Sequence, residues 1–191
     1  MTIKGVKIKL SSLVCLFLYY SIAQYLPVSY SRFGGAFSKK VRYFLCKRIF
    51  KFCGNNVNIE RKAHFGTGRN IVIGDNSGLG YCCNVPSNIS IGKDVMMGPN
   101  CFIIKYNHSF DRIDIPMIEQ GYQSTENVPT IIEDDVWIGM NVLMTAGRHI
   151  KKGTIIGAGC LLCKDFPEYS IVGGNPSKLI RSRIKNAEYN K

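Results

Sequence analysis

The main hydrophobic pattern of the chain is a period of six residues that runs through its central and C-terminal parts. A Gly often follows the apolar residue. This period differs from the 3.6-residue repeat of a helix, and it is typical of short strands joined by tight turns. Three such strands close one triangular coil, so the pattern predicts a parallel β-solenoid of about five coils. The positions are Ile59, Phe65 and Ile71, then Ile73, Leu79, Val85, Ile91, Met97 and Ile103, and finally Ile132, Ile138, Met144, Ile150, Ile156 and Leu162.

The N-terminal part of the chain lacks this period and predicts helices. The run from Leu10 to Leu26 is mostly apolar, and residues 37–52 alternate apolar and basic residues at three- and four-residue steps, as in an amphipathic helix. We therefore expect an all-β solenoid with N-terminal helices and a short C-terminal helix. Its three regions are a basic helical segment at 1–53, the β-helix at 54–176, and a C-terminal helix or tail at 177–191.

Charge is unevenly distributed along the chain. The net charge is +12, and residues 1–62 hold twelve Lys or Arg but only one acid, Glu60. Cations beside apolar residues suit an anionic membrane surface better than nucleic acid. We expect residues 1–52 to associate with a membrane surface, and the protein to be cytoplasmic or peripheral at the inner face of the plasma membrane. A solvated basic segment is the alternative.

The eight cysteines do not predict a disulfide scaffold. Their spacing is irregular, and a chain of 191 residues needs no such staples. Cys160 and Cys163 form a CxxC pair, but no second pair or close histidine completes a zinc site. We interpret most of the cysteines as small apolar residues in a reducing compartment.

Several segments together resemble the hexapeptide-repeat acyltransferases. These are IVIGDNSGLG, ISIGKDVMMGPN, IIEDDVWIGMNVLMTAGRHIKKGTIIGAGCLLCKD and IVGGNPSKLI. The resemblance covers about residues 54–183 and is closest to the maltose and galactoside O-acetyltransferases, in particular to capsular and exopolysaccharide acetyltransferases. It implies a left-handed parallel β-helix, acetyl-CoA as co-substrate without a metal, and a homotrimer with active sites between subunits.

The candidate catalytic residue lies in the one long break of the repeat. Residues 104–131 interrupt the sixes, and long loops on a rigid scaffold are usually functional or disordered. This loop contains His108, in a cluster that resembles the family's catalytic loop. A sugar hydroxyl needs a base as it attacks the thioester, and imidazole exchanges protons near neutral pH. We assign His108 as general base and then general acid, with Asp111 or Asp114 as candidates to orient it. A plain surface histidine is the alternative.

The resemblance also implies binding residues. Asn84, Asn107, Asp111 and Trp137 are expected at the acceptor and reaction site, although Asn107 is equally suited to a turn and Trp137 to filling space between coils. The branch often has Ser or Thr where this chain has Met140 and Cys163. It also has an acceptor-binding Asn where this chain has Cys82, and Asn84 is chosen as the nearest amide. The expected acetyl-CoA contacts are Gly139, Met140, Ala146, Ala158, Cys163, Lys164, Lys178 and Arg181, and the cations among them suit phosphates.

Three other functions remain as alternatives. N-acetylation of a nucleotide-linked amino sugar differs only in the acceptor. A metal enzyme on the same coil needs gathered histidines, whereas His64, His108 and His149 are 44 and 41 residues apart. A non-catalytic β-helix scaffold would not need the histidine loop.

Overall fold

The structure is a computed structural model. It describes residues 9–123 and 128–184, together with the backbone of Thr2–Ile3, Val6–Lys7 and Ser124. Two helices precede a parallel β-solenoid of about six turns. Helix α1 spans Leu10–Ser21 and helix α2 spans Gly35–Ile49. Within the described part of the chain, no helix combines the length and apolarity needed to cross a membrane.

The strands are short because each contributes a single rung of the solenoid. β1 and β2 form an antiparallel pair before α1, and β10 and β11 form another inside the long loop. The bounds are β1 Thr2–Ile3, β2 Val6–Lys7, β3 Phe52–Cys53, β4 Asn58–Ile59, β5 Val72–Ile73, β6 Gly78–Leu79, β7 Ser90–Ile91, β8 Met96–Met97, β9 Phe102–Ile103, β10 Tyr106–His108, β11 Tyr122–Ser124, β12 Ile131–Ile132, β13 Trp137–Ile138, β14 Leu143–Met144, β15 His149–Ile150, β16 Ile155–Ile156, β17 Leu161–Leu162, β18 Ser170–Gly173 and β19 Lys178–Ser182.

The rungs stack into three faces of a triangular prism. Face A contains β3, β5, β7, β12 and β15, and face B contains β4, β6, β8, β13, β16 and β18. Face C contains β9, β14 and β17, preceded by single-residue bridges at His64 and Asn84. Faces A and C therefore have five rungs each. Strand β18 adds a sixth rung to face B, which is one rung more than the six-residue period predicts.

The core is built from two inward residues in each six-residue unit. In most units the predicted aliphatic position is buried, and so is the residue two positions earlier, because alternate side chains of a strand share a face. Ile71 and Ile73 are such a pair, which explains why both fitted the period. Cys83, Cys101 and Cys160 occupy the same position on face C, where they are buried and free, as expected for small apolar residues.

Asparagine and aspartate dominate the corners of the prism. Many corner residues have a positive φ, a conformation that Asn and Asp tolerate better than most residues. Their side chains also bond between coils: Asn56 Nδ2 donates to Asn76 Oδ1 at 3.1 Å, and Asn76 Nδ2 donates to Asp94 Oδ1 at 2.9 Å. The corners therefore combine turn chemistry with contacts along the coil axis.

The two helices cap the first coil through buried polar contacts. Tyr19 of α1 is fully buried, and its hydroxyl donates to the Ala63 carbonyl at 2.7 Å. Arg42 of α2 is also fully buried, and its Nε donates to the Ile59 carbonyl at 2.6 Å. The helices are thus an integral part of the folded core, which continues from α1 into the solenoid.

The predicted C-terminal helix is wrong within the described residues. Lys178–Ser182 is strand β19, which pairs antiparallel with β18 on top of face B. Gly174, at φ 92°, lies in the turn between the two strands. Pairing with an exposed strand edge satisfies the backbone of this segment. Residues 185–191 of the predicted tail lie outside the described part of the chain.

Candidate active site

The long loop leaves the solenoid at the corner between faces C and A. Strand β9 belongs to face C and β12 to face A, and β10 and β11 project between them as an antiparallel hairpin. The register places His108 opposite Tyr122 and Asn107 opposite Gln123. The Ser109 amide continues this ladder by donating to the Gly121 carbonyl at 3.1 Å. A strand pair therefore holds the predicted catalytic histidine.

The imidazole of His108 lies against an aromatic ring. The ring centroids of His108 and Tyr122 are 4.4 Å apart at an interplanar angle of 38°. Both residues are exposed in the single chain, as is Asn107. Stacking on one side restricts the imidazole but leaves its nitrogens accessible to a substrate.

Neither candidate aspartate is seen to orient His108. Gln123 Nε2 donates to Asp111 Oδ2 at 3.5 Å, and Asp114 forms an ion pair with Arg112. The Gln120 side chain closes the loop, because its Nε2 donates to the Arg112 carbonyl at 2.7 Å and its Oε1 accepts from the Arg112 amide at 3.1 Å. These contacts and the hairpin hold residues 106–123 of the loop together.

One group of predicted acetyl-CoA contacts lies at the corner between faces B and C. Gly139 and Met140 follow β13, and Ala158 follows β16 one coil later. An added Cβ at Gly139 would lie 2.6 Å from the Ala158 backbone nitrogen, so the coils approach too closely for any side chain there. The Gly159 amide donates to the Met140 carbonyl at 2.9 Å. This corner is a narrow strip of backbone beside the half-exposed Met140.

A second group lies at the corner from which the loop with His108 projects. Ala146 follows β14, and Cys163 and Lys164 follow β17. The returning end of the loop packs here, since an added Cβ at Gly147 would lie 2.7 Å from a Val128 methyl group. The loop that contains His108 and this second group therefore share one edge of the prism.

The other predicted residues lie further apart. Trp137 is outward and half-exposed on face B, in register with Met96 and Ile155. Lys178 and Arg181 lie on β19, at the C-terminal end of the coil, and are exposed. Asn84 bridges His64 and Phe102 on face C, one rung before the strand that leads into the loop. A single chain does not bring all of these residues into one pocket.

Comparison with known proteins identifies the family. A Schizosaccharomyces pombe protein named "Putative acetyltransferase" is 34% identical over 151 residues, covering 77% of this chain and 70% of that protein. The crystal structure of a maltose O-acetyltransferase from Clostridium difficile 630 is 26% identical with a TM-score of 0.71, over 92% of this chain and 87% of that one. This chain belongs to the hexapeptide-repeat acetyltransferases.

A galactoside acetyltransferase solved in complex with coenzyme A is 24% identical with a TM-score of 0.69, over 95% of this chain and 88% of that one. No protein-family model matches the chain. Membership confirms the resemblance read from the sequence, the left-handed β-helix and the assignment as an acyltransferase enzyme.

Two residues of this acetyltransferase were missed by sequence reasoning. Tyr122 stacks on His108, and Ser177 Oγ lies 3.4 Å from Cys163 Sγ. Hydrogen bonds from Ser177 lower the pKa of the Cys163 thiol below its ordinary value. Each contact joins residues fourteen positions apart, and no periodic signal marks either partner. Among the described residues, no cluster of His, Cys, Asp or Glu could hold a metal ion.

Proposed function

We propose that this protein transfers the acetyl group of acetyl-CoA to a hydroxyl of a sugar, in a capsular, exopolysaccharide or lipid-linked glycan. The observation that carries the proposal is the His108 hairpin, which projects from the long break in the coil and shares an edge with Ala146, Cys163 and Lys164. The maltose and galactoside acetyltransferases of the same fold support a sugar acceptor, and the coenzyme A complex supports acetyl-CoA as co-substrate.

In the proposed reaction His108 first accepts a proton from the sugar and then donates it to the leaving thiolate. An imidazole nitrogen accepts the proton of the sugar hydroxyl while that oxygen attacks the thioester carbonyl carbon. The tetrahedral intermediate then expels the thiolate of CoA as its C–S bond breaks. The imidazolium donates the same proton to that thiolate, so the histidine returns to its starting state. Tyr122 limits the ring to one side, and Asn84, Asn107, Asp111 and Trp137 are the candidates for holding the acceptor.

The proposed acetyl-CoA contacts favour a groove between two copies of the chain. Gly139, Met140 and Ala158 lie on one edge of the prism, and Ala146, Cys163 and Lys164 lie on another. Each face is about 20 Å wide at about 3.3 Å per residue, and both edges are convex. A concave site forms when the first edge of one copy lies beside the second edge of another. Lys178 and Arg181, at the C-terminal end, would then meet the phosphates.

We propose that this arrangement is a homotrimer, which is the state that the resemblance to the family implies. A trimer also closes a head-to-tail interface into a ring, which avoids open filaments. The catalytic loop supports such an interface. Ile113 is fully exposed in the single chain, Ile118 is 83% exposed, and Phe110 and Tyr122 are more than half exposed. Apolar side chains grouped in this way usually mark a contact surface. We further propose a cytoplasmic enzyme, where acetyl-CoA is supplied.

A thiol-release assay with acetyl-CoA and a panel of sugars, amino sugars and lipid-linked sugars tests the proposal. His108→Ala should lower kcat by about 10²–10⁴-fold while leaving acetyl-CoA binding unchanged. His149→Gln is the matched control, because His149 pairs with Glu133 on the coil and should change the rate little. A near-normal rate in His108→Ala would remove the mechanism. Turnover of amino sugars alone would instead indicate N-acetylation, and a fully active monomer would contradict the shared groove.

A further inference from the structure

Helix α1 presents an apolar face that no other part of the described chain covers. Its buried side, with Cys15 and Tyr19, faces the core, whereas Leu10 and Phe17 are each 70% exposed and Val14 is 51% exposed. These three positions lie at i, i+4 and i+7, so they form one continuous stripe along the helix. Next to the stripe, Leu13, Leu16 and Tyr20 line an open groove. A stripe of this kind on a water-exposed helix indicates a binding surface.

Helix α2 presents a face of mixed aromatic and basic residues. Phe37 and Phe44 are exposed, and Lys40, Lys47 and Arg48 lie beside them at helical spacing. The Arg48 guanidinium stacks over the Phe44 ring at 3.6 Å. The opposite side of α2 packs on the first coil through Arg42. The helical cap, residues 9–62, therefore has an aliphatic surface on one helix and a cationic aromatic surface on the other.

Nearly all charged residues of the cap are positive. Residues 9–62 include ten Lys or Arg and one acid, Glu60. Glu60 is 7% exposed and is enclosed by Arg42, Ser29 and Asn58. Arg42 is fully buried as well, so the remaining nine cations of the cap have no acidic partner within it. The cap thus combines exposed apolar side chains with uncompensated positive charge.

We propose that the cap binds the surface of an anionic phospholipid bilayer. The interfacial region of such a bilayer offers acyl chains for Leu10, Val14 and Phe17, and anionic headgroups for the exposed Lys and Arg. A second copy of this chain would instead bring two positive surfaces together. The proposal goes beyond acetyl transfer and does not depend on it, although an enzyme held at the membrane would be near lipid-linked glycan acceptors.

The test is co-sedimentation of the full chain with lipid vesicles. Deleting residues 1–52 is unsuitable, because Tyr19 and Arg42 are part of the core. Wild type should bind vesicles of phosphatidylcholine with about one third phosphatidylglycerol, and bind pure phosphatidylcholine weakly. Lys40 on α2 and Lys51 just after it are both exposed cations of the cap. Lys40→Gln with Lys51→Gln should lower partitioning about twenty-five-fold, at about fivefold for each charge. Phe17→Ser should lower it about tenfold, from the lost burial of the ring.

Matched control variants test whether lipid binding depends on where the charge or apolar side chain is removed, or only on its removal. Lys151→Gln with Lys152→Gln removes the same charge near the other end of the coil, and Ile180→Ser removes an exposed apolar side chain there. Both should bind like wild type. Equal losses in cap and control variants, or no binding of wild type to the anionic vesicles, would overturn the proposal. So would a Phe17→Ser variant that changes only the oligomeric mass, which would identify a second copy as the occupant.

The membrane-binding proposal and the acetyl-transfer proposal can each be refuted without the other. Thermal unfolding followed by circular dichroism checks that the cap variants are folded. If Phe17→Ser does not fold, the double lysine variant tests the proposal by itself. Thiol release with a soluble acceptor should be unchanged in folded cap variants. Loss of lipid binding with retained turnover therefore concerns the cap alone, and loss of turnover in His108→Ala concerns acetyl transfer alone.

Discussion

Replacing Arg42 by Met should destabilise the fold far more than any surface charge change. Arg42 is fully buried, and its Nη1 donates to the carbonyls of Pro27 at 3.0 Å and Leu26 at 3.3 Å, in addition to the Nε bond to Ile59. Its Nη2 also lies 3.7 Å from Glu60 Oε2. Met keeps the apolar stem but leaves three carbonyls without their donor and Glu60 without its cation. Breaking a buried pair on one side costs about 3–5 kcal/mol.

Urea unfolding followed by circular dichroism, at one fixed protein concentration, measures this loss. Arg48→Met on the same helix is the control, since Arg48 is exposed and should cost less than about 1 kcal/mol. The double variant Arg42→Met with Glu60→Gln should recover part of the loss, because no buried charge is then unpaired. Equal free energies of unfolding for Arg42→Met and Arg48→Met would refute the view that Arg42 ties the cap to the solenoid.

Two further predictions concern acid stability and the core. Burial alone would raise the pKa of Glu60, but hydrogen bonds from Ser29 and Asn58 outweigh it and hold the pKa below that of an ordinary glutamate. Such a carboxylate stabilises the fold above its unfolded pKa and loses that contribution as pH falls through the folded value. Wild type should therefore lose stability below about pH 4, and urea titrations of Glu60→Gln should show a shallower loss; parallel curves would contradict this. On β12, Ile132 is buried and Ile131 is 36% exposed. Ile132→Ala should therefore lower the free energy of unfolding by about 2–5 kcal/mol in the same assay, and Ile131→Ala by clearly less. Equal losses would mean that the rung register is wrong.

The solenoid could be predicted because its information is local. Each six-residue unit specifies one strand, one corner and two inward side chains, so Ile91 or Ile138 could be placed without knowing which coil it contacts. The break at 104–131 stood out against that regularity and located His108. The predicted cysteine role was also readable, since Cys83 and Cys101 recur one coil apart at the same inward position.

The amino-acid pattern by itself determined the repeat, the loop and the chemistry available in the loop, because these depend on residue type and spacing along one segment. Tertiary structure decided what depends on contacts between distant segments. It placed Tyr122 against His108, turned Lys178–Ser182 into a strand on β18 instead of a helix, and buried Arg42 with Glu60 under the cap. A backbone or charge that leaves water must find a partner, and the fold alone determines which partner lies within reach.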